Sequence, residues 1–290
     1  MEQNLYEAIK GRPNYLPEQR VKHYMYQLIK AIEHMHRKGI FHRDIKPENI
    51  LLTGDTVKLA DLGSCRGLYQ EMPLTEYIST RWYRAPECLL TDGYYSYKMD
   101  IWGVGCVMFE VLSLCPLFPG DDELDQINKI HDAIGTPSRE ILDYFRKHAT
   151  HMEINFVTKK GKGFAHLIPH VSPEGQEIIA KMLIYDKDER WTASQLMRHP
   201  YFKEFRDFDH QQISQFTHGP GGFTRSISSN LNDNLSAYSR RNSENASDVE
   251  VGSGSNITTH HLPGAGQSTY NNHQIKKTKK GKVIKKKADA

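Results

Sequence analysis

The amino-acid sequence predicts a mainly α-helical fold with one short β-hairpin, followed by a disordered tail. Three observations predict this arrangement. Apolar residues recur at helical spacing near the start of the chain, and a Gly-Asp pair separates two short apolar runs close to residue 54. The composition then shifts to Ser, Asn, Gly and His, with few large apolar side chains. We therefore expect one folded domain in residues 1–205 and a disordered tail in residues 206–290.

The first predicted helix is long and amphipathic. Its apolar positions are Val21, Tyr24, Met25, Leu28, Ile32 and Met35. Pro17 suits the first turn of a helix, and Gly39 is typical of the residue that follows one. The chain should then form a hairpin, because residues 50–52 and 57–59 are apolar runs on either side of a turn signal.

The second long helix should be central in the fold. Residues 101–114 are apolar on every side, which is the pattern of a helix surrounded by protein rather than lying on the surface. Shorter helices are predicted at residues 122–134, 138–146, 174–183 and 192–198.

Composition and charge exclude several classes of protein. No stretch approaches the roughly 18 apolar residues of a membrane span, and charges interrupt the first twenty residues, where a secretory signal needs an apolar core. We therefore expect a soluble, intracellular protein. The four cysteines form no CxxC pair, so we expect reduced thiols rather than disulfides or a zinc site.

The end of the chain is strongly basic. Residues 276–290 carry a net charge of +7, against −4 for residues 1–275. This lysine-rich segment could bind a nuclear import receptor, an anionic membrane surface or nucleic acid, or act only as a solvated tail. No aromatic residue is interleaved to stack on bases, so we expect no nucleic-acid partner.

Chemistry-bearing residues are concentrated between residues 42 and 61. The run His42-Arg43-Asp44-Ile45-Lys46-Pro47-Glu48-Asn49 presents a carboxylate, an ammonium and an amide within six residues, and Asp61 follows the hairpin. Transfer of a phosphoryl group needs oxygen ligands for Mg²⁺, a cation on the moving phosphate and a carboxylate that orients the attacking hydroxyl. Asn49 and Asp61 suit the metal, Lys46 suits the phosphate and Asp44 suits the hydroxyl.

These residues, followed by Asp61-Leu62-Gly63 and Ala85-Pro86-Glu87, resemble the catalytic loop, the magnesium-binding triplet and the APE motif of eukaryotic Ser/Thr protein kinases. The resemblance covers residues 1–205. It implies the large, C-terminal lobe of the α+β kinase fold, with ATP and Mg²⁺ as cofactors and proteins as substrates. ATP would contact Lys46, Asn49, Leu51 and Asp61.

Further residues resemble one group of kinases. Thr75-Glu76-Tyr77 is similar to the doubly phosphorylated lip of MAP kinases. Leu117-Phe118-Pro119-Gly120 and Gly135-Thr136-Pro137 resemble the CMGC group, which includes cyclin-dependent kinases. Together they are most similar to the male-germ-cell-associated (MAK/MRK) branch. The resemblance implies substrates with Ser/Thr-Pro sites, an upstream activating kinase, and a location in cytoplasm and nucleus, with the cilium a further expectation.

The resemblance also implies roles for other residues. Thr80 would support catalysis beside Lys46 and Asp44. Arg43, Arg81 and Arg84 would gather around phosphates on Thr75 and Tyr77. Three further residues would support the structure: Glu87, Asp100 and Arg190. Asp100 would brace the catalytic loop, and Arg190 would pair with Glu87.

Two positions depart from the family pattern. Leu62 stands where Phe is usual, and we expect it to pack against an apolar neighbour in the same way. Lys187 stands where the Asp-Pro-x-x-Arg turn usually has Pro, and we expect only a small loss of stability.

No glycine-rich loop, Val-Ala-Ile-Lys strand or helical Glu precedes His42 in this sequence. By the resemblance, Met1 lies near the hinge between lobes, so we expect the small lobe to be missing. Loss of about 100–200 Å² of apolar burial around adenine removes about 2.5–5 kcal/mol of binding. We expect the chain alone to be a poor kinase. Two explanations stay open: an upstream segment that completes an active kinase, or a short form that acts as a non-catalytic binding module.

Overall fold

The computed structural model describes residues 2–75 and 80–217, with the backbone alone given for residues 213–217. The chain starts with strand β1 (Gln3–Asn4) and the short helix α1 (Leu5–Ile9). Asn4 begins this helix with a capping box, because its side chain accepts from the Glu7 amide at 2.8 Å and the Glu7 carboxylate accepts from the Asn4 amide at 2.9 Å. Neither element is predicted by the sequence pattern above.

The long helix α2 (Glu18–Arg37) confirms the first helix prediction, with Pro17 at its N-cap. Strand β2 (Ile40–Phe41) follows, and after the loop of residues 42–49 come β3 (Ile50–Thr53) and β4 (Thr56–Leu59). The predicted hairpin is confirmed: Ile50 is opposite Leu59, and Leu52 is opposite Val57.

Two small antiparallel sheets are present among the described residues. One has the order β1-β3-β4, so the hairpin gains a third strand from the start of the chain. The other pairs β2 with β5 (Arg66–Gly67). The hairpin is held on α2 by Gln27, whose side chain donates to the Asp55 carbonyl at 2.8 Å and accepts from the Val57 amide at 3.0 Å.

The remaining helices form most of the core. They are α3 (Pro86–Leu90), α4 (Lys98–Ser113), α5 (Glu123–Ile134), α6 (Arg139–Lys147), α7 (Pro173–Met182) and α8 (Ala193–Met197). The predicted central helix is confirmed as α4, which is buried along almost its whole length and packs between α2 and α7. Helices α5 to α8 confirm the four shorter predictions. None of the helices in the described ranges has the length and apolar composition needed to cross a bilayer.

The predicted start of the tail is wrong. Residues 203–217 form helix α9 (Lys203–Thr217) instead of a disordered segment from residue 206. The Tyr26 hydroxyl donates to the Asp209 carboxylate at 2.8 Å, and the Tyr26 and Phe205 rings stack with centroids 5.4 Å apart. Few apolar residues were needed for this helix because α2 supplies the partners. The rest of the predicted tail, residues 218–290 with the lysine-rich segment, lies outside the described residues.

Candidate active site

The loop from His42 to Asn49 is attached to the core by a buried carboxylate. Asp100, in the first turn of α4, is 1% exposed. Its two oxygens accept from the backbone amides of His42 and Arg43, each at 2.8 Å. Charge-assisted bonds of this kind are among the stronger ones in proteins. The start of the loop is therefore held at a defined position on helix α4.

Helix α4 also approaches the loop closely. Gly103 faces Ile45, and a Cβ atom on that glycine would lie 2.9 Å from the Ile45 Cβ. Any larger residue would push the loop away from the helix. The glycine thus permits the contact on which the position of Asp44 depends.

The loop brings three of the predicted residues together. The Asp44 carboxylate oxygen Oδ2 lies 2.8 Å from the Lys46 Nζ and 2.9 Å from the Asn49 amide nitrogen. The same amide nitrogen donates to the Asp44 carbonyl at 2.8 Å. Asp44 and Asn49 are buried, whereas the Lys46 side chain keeps 20% of its surface exposed. These contacts give the carboxylate one orientation beside a solvent-accessible cation.

Asp61 follows the hairpin and comes directly after Ala60, whose backbone is hydrogen-bonded to the loop. The Ala60 amide donates to the Asn49 carbonyl at 2.9 Å, and the Ala60 carbonyl is bonded by the His42 ring at 2.9 Å. Asp61 itself is exposed and has a left-handed backbone with φ of 63°. For a residue other than glycine, asparagine or aspartate this conformation would be strained.

Leu51 and Leu62 differ in their surroundings. Leu51 is half-buried in β3, opposite Asn4 on one side and Lys58 on the other. Leu62, expected to pack against an apolar neighbour, is instead 62% exposed. That expectation is wrong for the described structure, because the residues around Leu62 leave most of its side chain uncovered.

The predicted lip residues occupy separate places. Thr75 and Thr80 are both exposed, and Tyr77 lies outside the described residues. The Arg81 guanidinium donates to the Asp121 carbonyl at 3.0 Å, and that of Arg84 lies 3.6 Å from the Glu123 carboxylate. Both of these partners lie in residues 121–123, at the start of α5.

Arg43 is buried rather than free to meet a phosphate. It is 2% exposed and donates to the Ser64 carbonyl at 2.6 Å and to the Tyr95 hydroxyl at 2.7 Å. The Tyr95 hydroxyl in turn donates to the Thr75 carbonyl at 2.6 Å. Tyr95 therefore links the loop arginine to the lip, and the sequence analysis missed it.

Two other residues near the site were also missed. His36, at the end of α2, lies 2.8 Å from Asp100 through its Nε2 atom. The Tyr83 hydroxyl donates to Glu110 of α4 at 2.7 Å. Burial raises the pKa of Glu110 to about 7, and the Tyr83 bond opposes this shift only in part.

The APE segment is joined to the far end of the domain by a buried ion pair. Both Arg190 terminal nitrogens bond the Glu87 carboxylate, at 2.7 and 2.9 Å, and both side chains are fully buried. Lys187, the departure from the family turn, lies 3.2 Å from Asp188 and 5.3 Å from the centre of the Tyr144 ring.

The donor atoms suit a magnesium ion and the phosphates of a nucleotide. Because the Asn49 amide nitrogen is used by Asp44, its oxygen is the atom left for a cation. The exposed Asp61 carboxylate supplies a second hard oxygen, and such ligands are those that Mg²⁺ prefers. Lys46 supplies a cation for a phosphate.

Comparison with known proteins agrees with this geometry. A family model described as protein kinase domain matches residues 1–202. The chain is 54% identical over 223 residues to MAPK/MAK/MRK overlapping kinase of Homo sapiens, covering 77% of this chain and 52% of that protein. It is 54% identical over 215 residues to the same kinase of Mus musculus, covering 74% and 51%.

A third relative extends the comparison to a neighbouring kinase. Over 204 residues the chain is 42% identical to serine/threonine-protein kinase MAK of Homo sapiens, covering 70% of this chain and 33% of that protein. The chain thus spans about half the length of the overlapping kinases it matches, and a third of MAK. Use of ATP and Mg²⁺ is what protein kinases as a family imply. The chain belongs to the protein kinase family, in the CMGC branch that contains the overlapping kinase and MAK.

Proposed function

We propose that the described loop transfers the γ-phosphoryl group of ATP to a serine or threonine hydroxyl, with proline as the next residue of the substrate. The observation that carries this proposal is the position of the Asp44 carboxylate, 2.8 Å from Lys46 and 2.9 Å from Asn49. A carboxylate held in this way can orient one hydroxyl toward a phosphate.

The reaction needs little covalent chemistry from the protein. The substrate oxygen forms a bond to phosphorus on the side opposite the leaving ADP oxygen, whose bond to phosphorus breaks. Asp44 orients the hydroxyl and accepts its proton. Lys46 reduces the negative charge on the transferred group, and Thr80 supports this pair at the end of the lip.

Asn49 and Asp61 would hold magnesium in this proposal. When bound, the ion neutralises charge on the nucleotide phosphates. Leu51 contacts adenine from the half-buried face of β3. Asp100 keeps the loop on α4, and the pair of Glu87 and Arg190 keeps the APE segment in place.

Regulation in this proposal acts on the lip. Phosphates on Thr75 and Tyr77 add strong negative charge, which arginines can bind. Arg81 and Arg84 would exchange their present partners for these phosphates, and Arg43 would have to leave Tyr95. The proline preference, the upstream kinase, a place in cytoplasm, nucleus or cilium, and an import receptor or anionic surface for the tail rest on resemblance and sequence pattern.

The test is phosphoryl transfer by the purified 290-residue chain in single-turnover conditions, with Mg-ATP and a Ser-Pro peptide. We expect Asp44→Asn to slow transfer at least a hundredfold. Asp121→Asn is the matched control, because it makes the same chemical change at an exposed position. Equal rates for both variants would refute the role of Asp44, and equal rates on Ser-Pro and Ser-Ala peptides would refute the proline preference.

A second function, a non-catalytic binding module, is favoured by the exposure of Leu62 and Asp61. In that case the 290-residue chain would show no phosphoryl transfer that depends on Asp44, whereas the catalytic proposal requires such transfer even at a rate well below the about 1–100 s⁻¹ of ordinary kinases. Thermal shift with Mg-ATP separates the two: stabilisation that requires Mg²⁺ and Asp61 supports the catalytic proposal, and its absence supports the module.

A further inference from the structure

A groove on the side of the domain formed by α2, α8 and α9 is unrelated to the loop described above. It has a volume of 360 Å³ and lies between the three helices. Its lining includes Glu33, Arg37, Met197, Arg198, Arg206 and His210. Since all three helices are joined by buried contacts, the groove is a fixed feature of the fold.

Positive charge exceeds negative charge along this groove. The two lining carboxylates already have partners, because Glu33 lies 3.5 Å from Arg37 and Asp209 lies 2.5 Å from Lys30. Among the residues that the structure describes, neither Arg198 nor Arg206 forms an ion pair with a carboxylate. Two guanidinium groups therefore remain to bind an external anion.

The two arginines are held by neutral partners. Arg206 donates to the carbonyls of Met197 and His199, at 2.8 and 3.2 Å, and Arg198 donates to the Ser194 hydroxyl at 3.3 Å. These bonds use single nitrogens and leave other N–H groups of each guanidinium for a carboxylate. Holding the side chains in place lowers the entropy cost of binding.

Apolar surface lies beside the charges. Met197 is half-buried at the groove wall, and the ring of Tyr26 lines the floor. Flexible methionine side chains adapt well to apolar side chains of a partner. The groove can thus hold an apolar anchor between anionic groups.

We propose that this groove docks a peptide segment of a partner protein that carries Asp or Glu on both sides of an aliphatic side chain. The partner's carboxylates pair with Arg198 and Arg206, and its aliphatic side chain packs on Met197.

The experiment measures binding of a fluorescein-labelled octapeptide of alternating Glu and Leu to the purified chain by fluorescence polarisation. A peptide of alternating Lys and Leu is the matched counter-probe. We expect saturable binding of the acidic peptide only, weakened at least fivefold by Arg198→Glu and weakened further as salt rises from 0.05 to 0.3 M.

Arg139→Glu is the control variant, because Arg139 is 89% exposed on α6, away from the groove. It should change the affinity by less than twofold. The melting temperature of each variant checks that it is folded. The proposal is overturned if the acidic peptide does not saturate, if the basic peptide binds equally well, or if Arg198→Glu and Arg139→Glu behave alike.

Discussion

Two aspartates differ in their surroundings: Asp61, which belongs to the candidate site, and Asp100, which supports the loop of that site. Asp100 is 1% exposed and accepts hydrogen bonds from two backbone amides and one histidine ring. Asp61, by contrast, is exposed and has a left-handed backbone conformation. The loop that carries Asp44 is therefore built into the core, while the side of the site on which Asp61 lies is at the surface. The same residue type supports the fold in one place and is open to solvent in the other.

The largest effect is expected where a buried charge loses its partner. Arg190→Ala should lower the free energy of unfolding by about 3–5 kcal/mol, because it leaves the Glu87 carboxylate buried and unpaired. Urea unfolding measures this. Arg139→Ala, at an exposed pair of 3.9 Å, should cost less than about 1 kcal/mol. Similar losses for the two variants would show that the buried pair does not support the domain.

The brace of the loop should be nearly as sensitive. Asp100→Asn replaces one accepting oxygen with a donor that faces a backbone N–H, so we expect a loss of about 3–4 kcal/mol and faster hydrogen exchange at the amides of His42 and Arg43. Asp61→Asn is the matched change at the exposed position. Unchanged exchange in Asp100→Asn would contradict the brace.

The hydrogen bond between Tyr83 and Glu110 of α4 can be tested through the pH dependence of stability. Its folded pKa of about 7 lies above the ordinary 4.5, so protonation favours the folded state. The stability linked to this group is complete below pH 4.5 and is lost as pH rises through 7. Glu110→Gln should remove that loss, up to about 3 kcal/mol at pH 8. If Glu110→Gln and the unaltered chain have the same pH profile of unfolding, Glu110 is not the cause of the pH dependence.

A smaller effect is expected at the departure from the family turn. Lys187→Pro should change stability by less than about 1 kcal/mol, because the gain from a stiffer unfolded chain is offset by loss of the Asp188 and Tyr144 contacts. The melting temperature should move by less than about 4 °C. A larger fall would mean that Lys187 replaces the usual proline with contacts of its own.

The smallest effect on stability is expected at Asp61. Asp61→Asn should change the free energy of unfolding by no more than about 0.5 kcal/mol, as for most exposed sites. The same variant should abolish the Mg²⁺-dependent part of the thermal shift with ATP. If it unfolds the chain as Asp100→Asn does, the contrast between the two aspartates fails.

Local patterns predicted most helices, because apolar spacing and proline or glycine at the ends are local signals. They also predicted that Asp44, Lys46 and Asn49 lie together, since six residues of one loop cannot separate them far. They failed for α9 and Leu62. Helix α9 depends on Tyr26 and Lys30 of α2, and the exposure of Leu62 depends on what surrounds it.

By itself, the sequence determined the family, the order of the helices and the residue types of the candidate site, because these follow from local spacing and motif order. Only the tertiary structure decided which side chains support the site. Asp100 reaches the loop from 57 residues away in sequence, and Tyr95 joins Arg43 to Thr75. Such contacts arise from the packing of distant segments, which no short stretch of sequence specifies.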